Sequence, residues 1–160
     1  MNKQTVLQAI IDTLKVDLGV AQRAAQTAYE TATHEENIAE NKYDTLGLEA
    51  SYLAAGQARR VEEIRQSLLL YQKLSLTPFD AQRGIQTGDL VTLQTETGAE
   101  QHLFLGPDAA GLKIRLENAI VTVITARAPL GQSLQGKFEG DELEITVNGS
   151  KQSFEVTQIV

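Results

Sequence analysis

Leu7, Ile11, Leu14, Leu18, Ala21, Ala25, Ala28 and Ala32 follow one another in alternating steps of four and three residues, so the start of the chain must be a helix with a single apolar seam. The seam changes from Leu and Ile to Ala along its length, which lets a partner helix come closer toward its far end. The spacing predicts a first helix from about Thr5 to about Thr33 and a second from about Thr45 to about Leu74, weakened only by Gly47 and Gly56. The second carries its own stripe, Leu46, Ala50, Leu53, Ala54, Ala58, Val61, Ile64, Leu68 and Tyr71, with a slip of register near Gln57. At ~1.5 Å of rise per residue, two antiparallel arms of this length reach on the order of 40 Å. A plain coiled-coil spacer is one reading of such a hairpin.

The bend between the arms is acidic. Glu30, Glu35, Glu36, Glu40, Asp44 and Glu49 are answered within that stretch by Lys42 alone. Taken from the residues, the cluster is either a solvated turn or a tip that delivers carboxylates to a partner.

Pro78 ends the second helix, and a linker runs to about Thr87. Beyond it the pattern becomes that of strands: Asp89 to Thr95, Gln101 to Leu105, Ala119 to Ala126, then Glu142 to Val147 and Gln152 to Val160 across the turn Asn148-Gly149. Pro129 to Leu134 reads as one short helix ended near Gly136. The expected fold class is α+β. Residues 1–76 form the hairpin, 77–87 the linker, and 88–160 a small, mainly antiparallel β domain with one helix.

Composition removes several functions. The chain has no cysteine, which excludes disulfides, thiol nucleophiles and cysteine-ligated zinc. Net charge is -7, and residues beyond 74 hold six Lys and Arg against eleven Asp and Glu, so no domain-wide basic surface exists to hold a phosphate backbone. No stretch approaches the roughly 18 apolar residues of a membrane helix, and the amphipathic start is unlike a signal peptide. A cytoplasmic protein without membrane contact is expected, and a monomer. His34 stands beside Glu35 and Glu36 as a weak metal or base candidate, whereas His102, alone in a predicted strand, reads as a sheet-face residue. Ser133 lacks the strand-to-turn setting of a nucleophile elbow. Arg59, Arg60 and Arg65 form a basic face on the second arm, which is either a contact surface or a set of partners for Glu62 and Glu63.

The run Ile124-Thr-Ala-Arg-Ala-Pro129-Leu130-Gly131-Gln-Ser-Leu134-Gln-Gly136-Lys137-Phe-Glu-Gly140-Asp141-Glu-Leu-Glu-Ile145 resembles the "SP(I/L)G.AL.GK..GD.V" signature in the C-terminal domain of the Gre transcript-cleavage factors. The order of parts, hairpin, proline-bearing linker and terminal domain, is similar to that family over nearly the whole chain. The resemblance implies an FKBP-like topology, shared with Rnk-type regulators, and RNA polymerase as partner, with nascent RNA met only indirectly. It implies docking through the β domain, with Pro129, Leu130, Gly131 and Lys137 as candidates, and insertion of the hairpin through the secondary channel.

Cleaving members of the family carry a tip close to D-x-x-E-N-A-E-Y, whose two leading acids hold magnesium in the polymerase active centre. The matching run here is Asn37-Ile38-Ala39-Glu40-Asn41-Lys42-Tyr43-Asp44, so Glu40 and Asn41 match while Asn37 replaces the leading aspartate. Glu40 and Asp44, then Glu36 and Glu35, are the candidate ligands. The expected cofactor is none of the chain's own, only a Mg²⁺ shared with the polymerase. No enzyme activity of its own follows, and at most the polymerase's cleavage is stimulated. A different class of function, a non-cleaving adaptor built on the coiled coil and an FKBP-like domain, stays open from the residues.

Overall fold

A computed structural model of the chain describes residues 1–34 and 46–160. Among these residues it contains α1 (Lys3–Thr33), α2 (Leu46–Lys73), β1 (Leu90–Thr95), β2 (Glu100–Leu105), β3 (Lys113–Leu116), β4 (Ala119–Ile124), α3 (Pro129–Leu134), β5 (Glu142–Val147) and β6 (Ser150–Ile159). α1 begins two residues before the expected start because Asn2 caps it: its side-chain oxygen accepts the amides of Gln4 at 2.7 Å and Thr5 at 3.4 Å.

The chain forms two compact units. Met1–Ile11 and Leu70–Val160 make the first, Asp12–Leu69 the second. In the first, the strands form one sheet in the order β3-β4-β2-β1-β6-β5. β2 and β4 are parallel and the other neighbouring strands antiparallel, so the sheet is mixed. β3 lies outside the expected strands: polar and apolar residues alternate there over only four positions, Lys113 to Leu116, and they pair with β4 in a hairpin through Ile114↔Val121. β6 also starts earlier than the sequence suggests, because Ser150 pairs with Val147 across the two-residue turn.

Both faces of the sheet bury side chains. On one, Val91, Leu93, Leu103, Leu105, Ile124, Leu143, Phe154 and Val156 form a core with Ile85 and Leu134 of α3, and Phe79 and Leu130 pack against it. The alternate residues of the same strands, Leu90, Phe104, Val121 and Val123, are buried too. Tyr71, from the last turns of α2, lies against Phe104 with ring centroids 6.4 Å apart. Each such side chain contributes about 1.5–3 kcal/mol on burial.

The expected seam is realised in part. Leu7, Leu14, Ala21 and Ala28 are buried, but Ile11, Leu18, Ala25 and Ala32 are half-covered, and Val6 and Ile10 are fully buried instead. The early residues belong to the sheet-bearing unit, so a second flank of α1 is buried there. In α2, Ala50, Ile64, Leu68 and Tyr71 are buried, whereas Leu53 is 56% exposed, in keeping with the slipped register.

Candidate functional site

The segment that carries the resemblance folds as a corner of the first unit, and each of its marked residues has a structural duty. Pro129 occupies the first turn of α3, where a missing amide costs nothing, after Ala128 in extended conformation. Gly131 is buried with its Cα against the Thr125 carbonyl; any Cβ there would collide with that oxygen. Leu134 is fully buried in the core. Gly136, at φ 76°, closes the helix, and its amide donates to the Ile85 carbonyl at 2.9 Å while the Ile85 amide donates to Lys137 at 2.9 Å. Asp141 accepts the Phe138 amide at 2.9 Å, and Gly140, at φ 87°, donates to Val156 at 2.7 Å, which stitches the corner to β6.

Of the four docking candidates, Pro129 is exposed, Leu130 and Lys137 are half-buried, and Gly131 is buried. Leu130 borders a groove of about 430 Å³ over β2, β4 and β3, whose lining includes Leu103, Ile120, Thr122 and Lys113. Ile120 is 48% exposed there. The sequence offered no sign of this groove, since Ile120 and Lys113 come together through β3, the strand outside the expected ones. A second open region, about 540 Å³, spans β1, β6 and β5 and carries Glu96, Glu142, Glu144 and Glu155. Glu142 faces Glu155 directly across the β5–β6 ladder, and Lys151 lies 3.5 Å from Glu144.

In the second unit, α1 and α2 enclose a groove of about 380 Å³ lined by Ala24, Thr27, Ala28, Ala50 and Leu53. The basic face is paired within its own helix: Arg65 lies 3.2 Å from Glu62 and Arg60 3.8 Å from Glu63, all about half-exposed. Arg60 and Arg65 are thus the partners of Glu63 and Glu62, and at that exposure each pair contributes under about 1 kcal/mol. Glu35, Glu36, Asn37, Glu40 and Asp44 lie outside the described residues. Among the described residues no group of three or more His, Asp or Glu is placed to hold a metal ion, and no helix is long and apolar enough to cross a membrane. His102 is on a sheet face, within 3.1 Å of the Thr92 hydroxyl through Nδ1.

Sequence reasoning missed a polar network that anchors the helix ends. Lys3 and Asp89 form an ion pair at 3.0 Å with side chains only 11% and 7% exposed, and the second Asp89 oxygen accepts the Gln86 amide at 2.8 Å. The Tyr71 hydroxyl donates to the Asp108 carbonyl at 2.7 Å, and the Arg127 guanidinium lies 3.3 Å from the Asp108 carboxylate. Burial pushes the Tyr71 phenol well above the ordinary tyrosine value, with the Asp108 carboxylate adding to the shift and the hydrogen bond opposing it. The only sequence signal was Tyr71 at the end of the α2 stripe.

No family model matches the chain. Among curated proteins, it is 26% identical over 103 residues to the transcription elongation factor GreA of Polaromonas naphthalenivorans (strain CJ2), a match that covers 63% of this chain and 61% of that protein. Similar solved structures include GreA factor homolog 1 (Gfh1) of Thermus thermophilus, at 19% identity, 94% coverage of each chain and a TM-score of 0.40. Gfh1 of Thermus aquaticus is 22% identical, with 95% of this chain and 94% of that one covered and a TM-score of 0.39. GreA/GreB from Nitrosomonas europaea is 19% identical over 62% of this chain and 92% of that one, with a TM-score of 0.37. By sequence the chain is homologous, at low identity, to the GreA-type transcription elongation factors.

Proposed function

We propose that this chain is a regulatory factor of bacterial RNA polymerase, not an enzyme in its own right. The β unit, of FKBP-like topology, docks on the polymerase, and the hairpin enters the secondary channel to bring its carboxylates to the catalytic centre. The observation that carries the reading is the match to a GreA elongation factor over 103 residues. The Leu130 groove supports it as a docking surface, because half-buried and exposed apolar side chains, Leu130 and Ile120, border one concave region with Lys113 at its rim.

The tip would act through oxygen donors. Glu40 and Asp44 present carboxylates, the hard ligands that Mg²⁺ prefers, with Glu36 and Glu35 as further acids. When bound in the polymerase, that ion supplies Lewis-acid activation of a water; this chain's residues contribute charge and position. Asn37 offers a neutral amide where cleaving relatives have an acid, so the chain is proposed to stimulate cleavage weakly and to modulate or compete with other channel factors.

The test is retention by core RNA polymerase at low ionic strength, followed by transcript shortening in a backtracked complex. Retention, weak cleavage, and an increase on Asn37→Asp that Glu40→Gln abolishes are the expected results. Absence of any retained polymerase subunit would overturn the reading in favour of an adaptor, and strong cleavage that survives Glu40→Gln would overturn the assignment of the tip.

A further inference from the structure

The β5–β6 turn carries a pair of residues whose chemistry the proposed function does not use. Asn148-Gly149 is the one Asn-Gly step in the sequence; Asn2, Asn37, Asn41 and Asn118 are each followed by a residue with a side chain. A glycine amide after asparagine is the least hindered backbone nucleophile available to an asparagine carboxamide, because no Cβ shields it. Here nothing stands within 4 Å of the place a Gly149 Cβ would occupy, so space is open for the reaction.

We infer that Asn148 is a site of spontaneous deamidation, gated by opening of the hairpin tip. The Gly149 nitrogen attacks Asn148 Cγ. A new N–Cγ bond forms, the Cγ–Nδ2 bond breaks, and Nδ2 leaves as ammonia, taking up the proton lost from the glycine amide. The resulting five-membered succinimide is opened by water from solvent at either carbonyl, which gives aspartate or isoaspartate at position 148. No oxidant or reductant takes part.

The gate follows from the backbone. Asn148 has φ 52° and Gly149 φ 80°, the left-handed pair of a two-residue hairpin turn closed by Val147↔Ser150. In the left-handed conformation, the following nitrogen lies on the far side of the Cα–C bond from Cβ, so the ring cannot close until Asn148 leaves it. Leaving is easy at this tip. Every residue from Thr146 to Gln152 is exposed, so no buried side chain holds the last rungs of the ladder together, and β5 is an edge strand with a partner on one side only. The isoaspartyl product adds a main-chain methylene to a turn whose geometry admits two residues, so the tip cannot re-form as before, and a carboxylate replaces the neutral amide near Lys151.

The experiment is incubation of the full chain at mildly alkaline pH and physiological temperature, with peptide mass analysis over time and isoaspartate detected by enzymatic methyl transfer. A synthetic peptide spanning residues 145–152 serves as the ungated reference, and Asn148→Gly, which keeps the tolerance for positive φ, as the control. The expected result is a mass gain of about one dalton confined to position 148, slower in the folded chain than in the peptide, with isoaspartate present and the gain lost in Asn148→Gly. No gain in the folded chain while the peptide reacts would overturn the site. Equal rates in chain and peptide would overturn the gate.

Discussion

Tyr71 and Gly106 show how much a single contact decides. The Tyr71 ring is fully buried against Phe104, and its hydroxyl is placed so that a Cβ on Gly106 would collide with it. Gly106→Ala is therefore expected to cost about 1–3 kcal/mol through overpacking. Tyr71→Phe removes the hydroxyl and its hydrogen bond to the Asp108 carbonyl, at about 0.5–1.5 kcal/mol. In the Tyr71→Phe background the alanine should cost less, and a double-mutant cycle by urea denaturation measures that coupling. The phenol also sets an alkaline limit. Its folded pKa is raised, so between the ordinary tyrosine value of 10.0 and the higher folded one the unfolded chain has lost a proton that the native state retains. Stability from this group is fully present below about pH 10 and falls as pH rises through that window. Denaturant midpoints taken on either side of pH 10 should drop in the wild type by more than in Tyr71→Phe.

At the scale of the element, the start of α1 is tied to the sheet by charge. Lys3 sits in the first turn, and Asp89 immediately precedes β1. With both side chains nearly buried, loss of one partner strands the other away from water. Lys3→Met is expected to cost about 3–5 kcal/mol, whereas Arg65→Met, which breaks a half-exposed pair within one helix, should cost under about 1 kcal/mol. Thermal unfolding of the two variants is the check, and equal losses would contradict the burial argument. The sequence could show that α1 and α2 are helices but not where their ends are fastened, because Lys3 and Asp89 are 86 residues apart.

For the whole molecule, the division into parts differs between sequence and contacts. Pro78 suggested a boundary at 76/77, but the compact unit that contains the sheet also takes in Met1–Ile11 and Leu70 onward. A fragment of residues 77–160 would lose Tyr71 and Lys3, and with them the cover of Phe104 and the partner of Asp89. It is expected to unfold at lower urea concentration than the full chain and to bind an apolar dye. A chain in which residues 12–69 are replaced by a flexible linker, and which keeps both helix ends, should bind the dye no more than the intact protein. A polymerase competition experiment on the isolated β domain is therefore better made with that second form.

The sequence by itself determined what depends on neighbours along the chain. Heptad spacing settled α1 and α2, two turn glycines settled the end of α3 and the β5–β6 hairpin, and the run from Pro129 to Asp141 was legible because its residues answer local demands of backbone geometry; α2 itself stops at Lys73, ahead of the Pro78 expected to end it. Only the tertiary structure decided the rest. The parallel pairing of β2 with β4, the groove beside Leu130, the Lys3–Asp89 and Tyr71–Asp108 bonds, and the burial of Val6 and Ile10 in place of part of the seam all bring together residues far apart in sequence. Local propensity carries no term for such contacts. They are fixed by which faces of helix and sheet must leave water together, and that choice is made only when the whole unit closes.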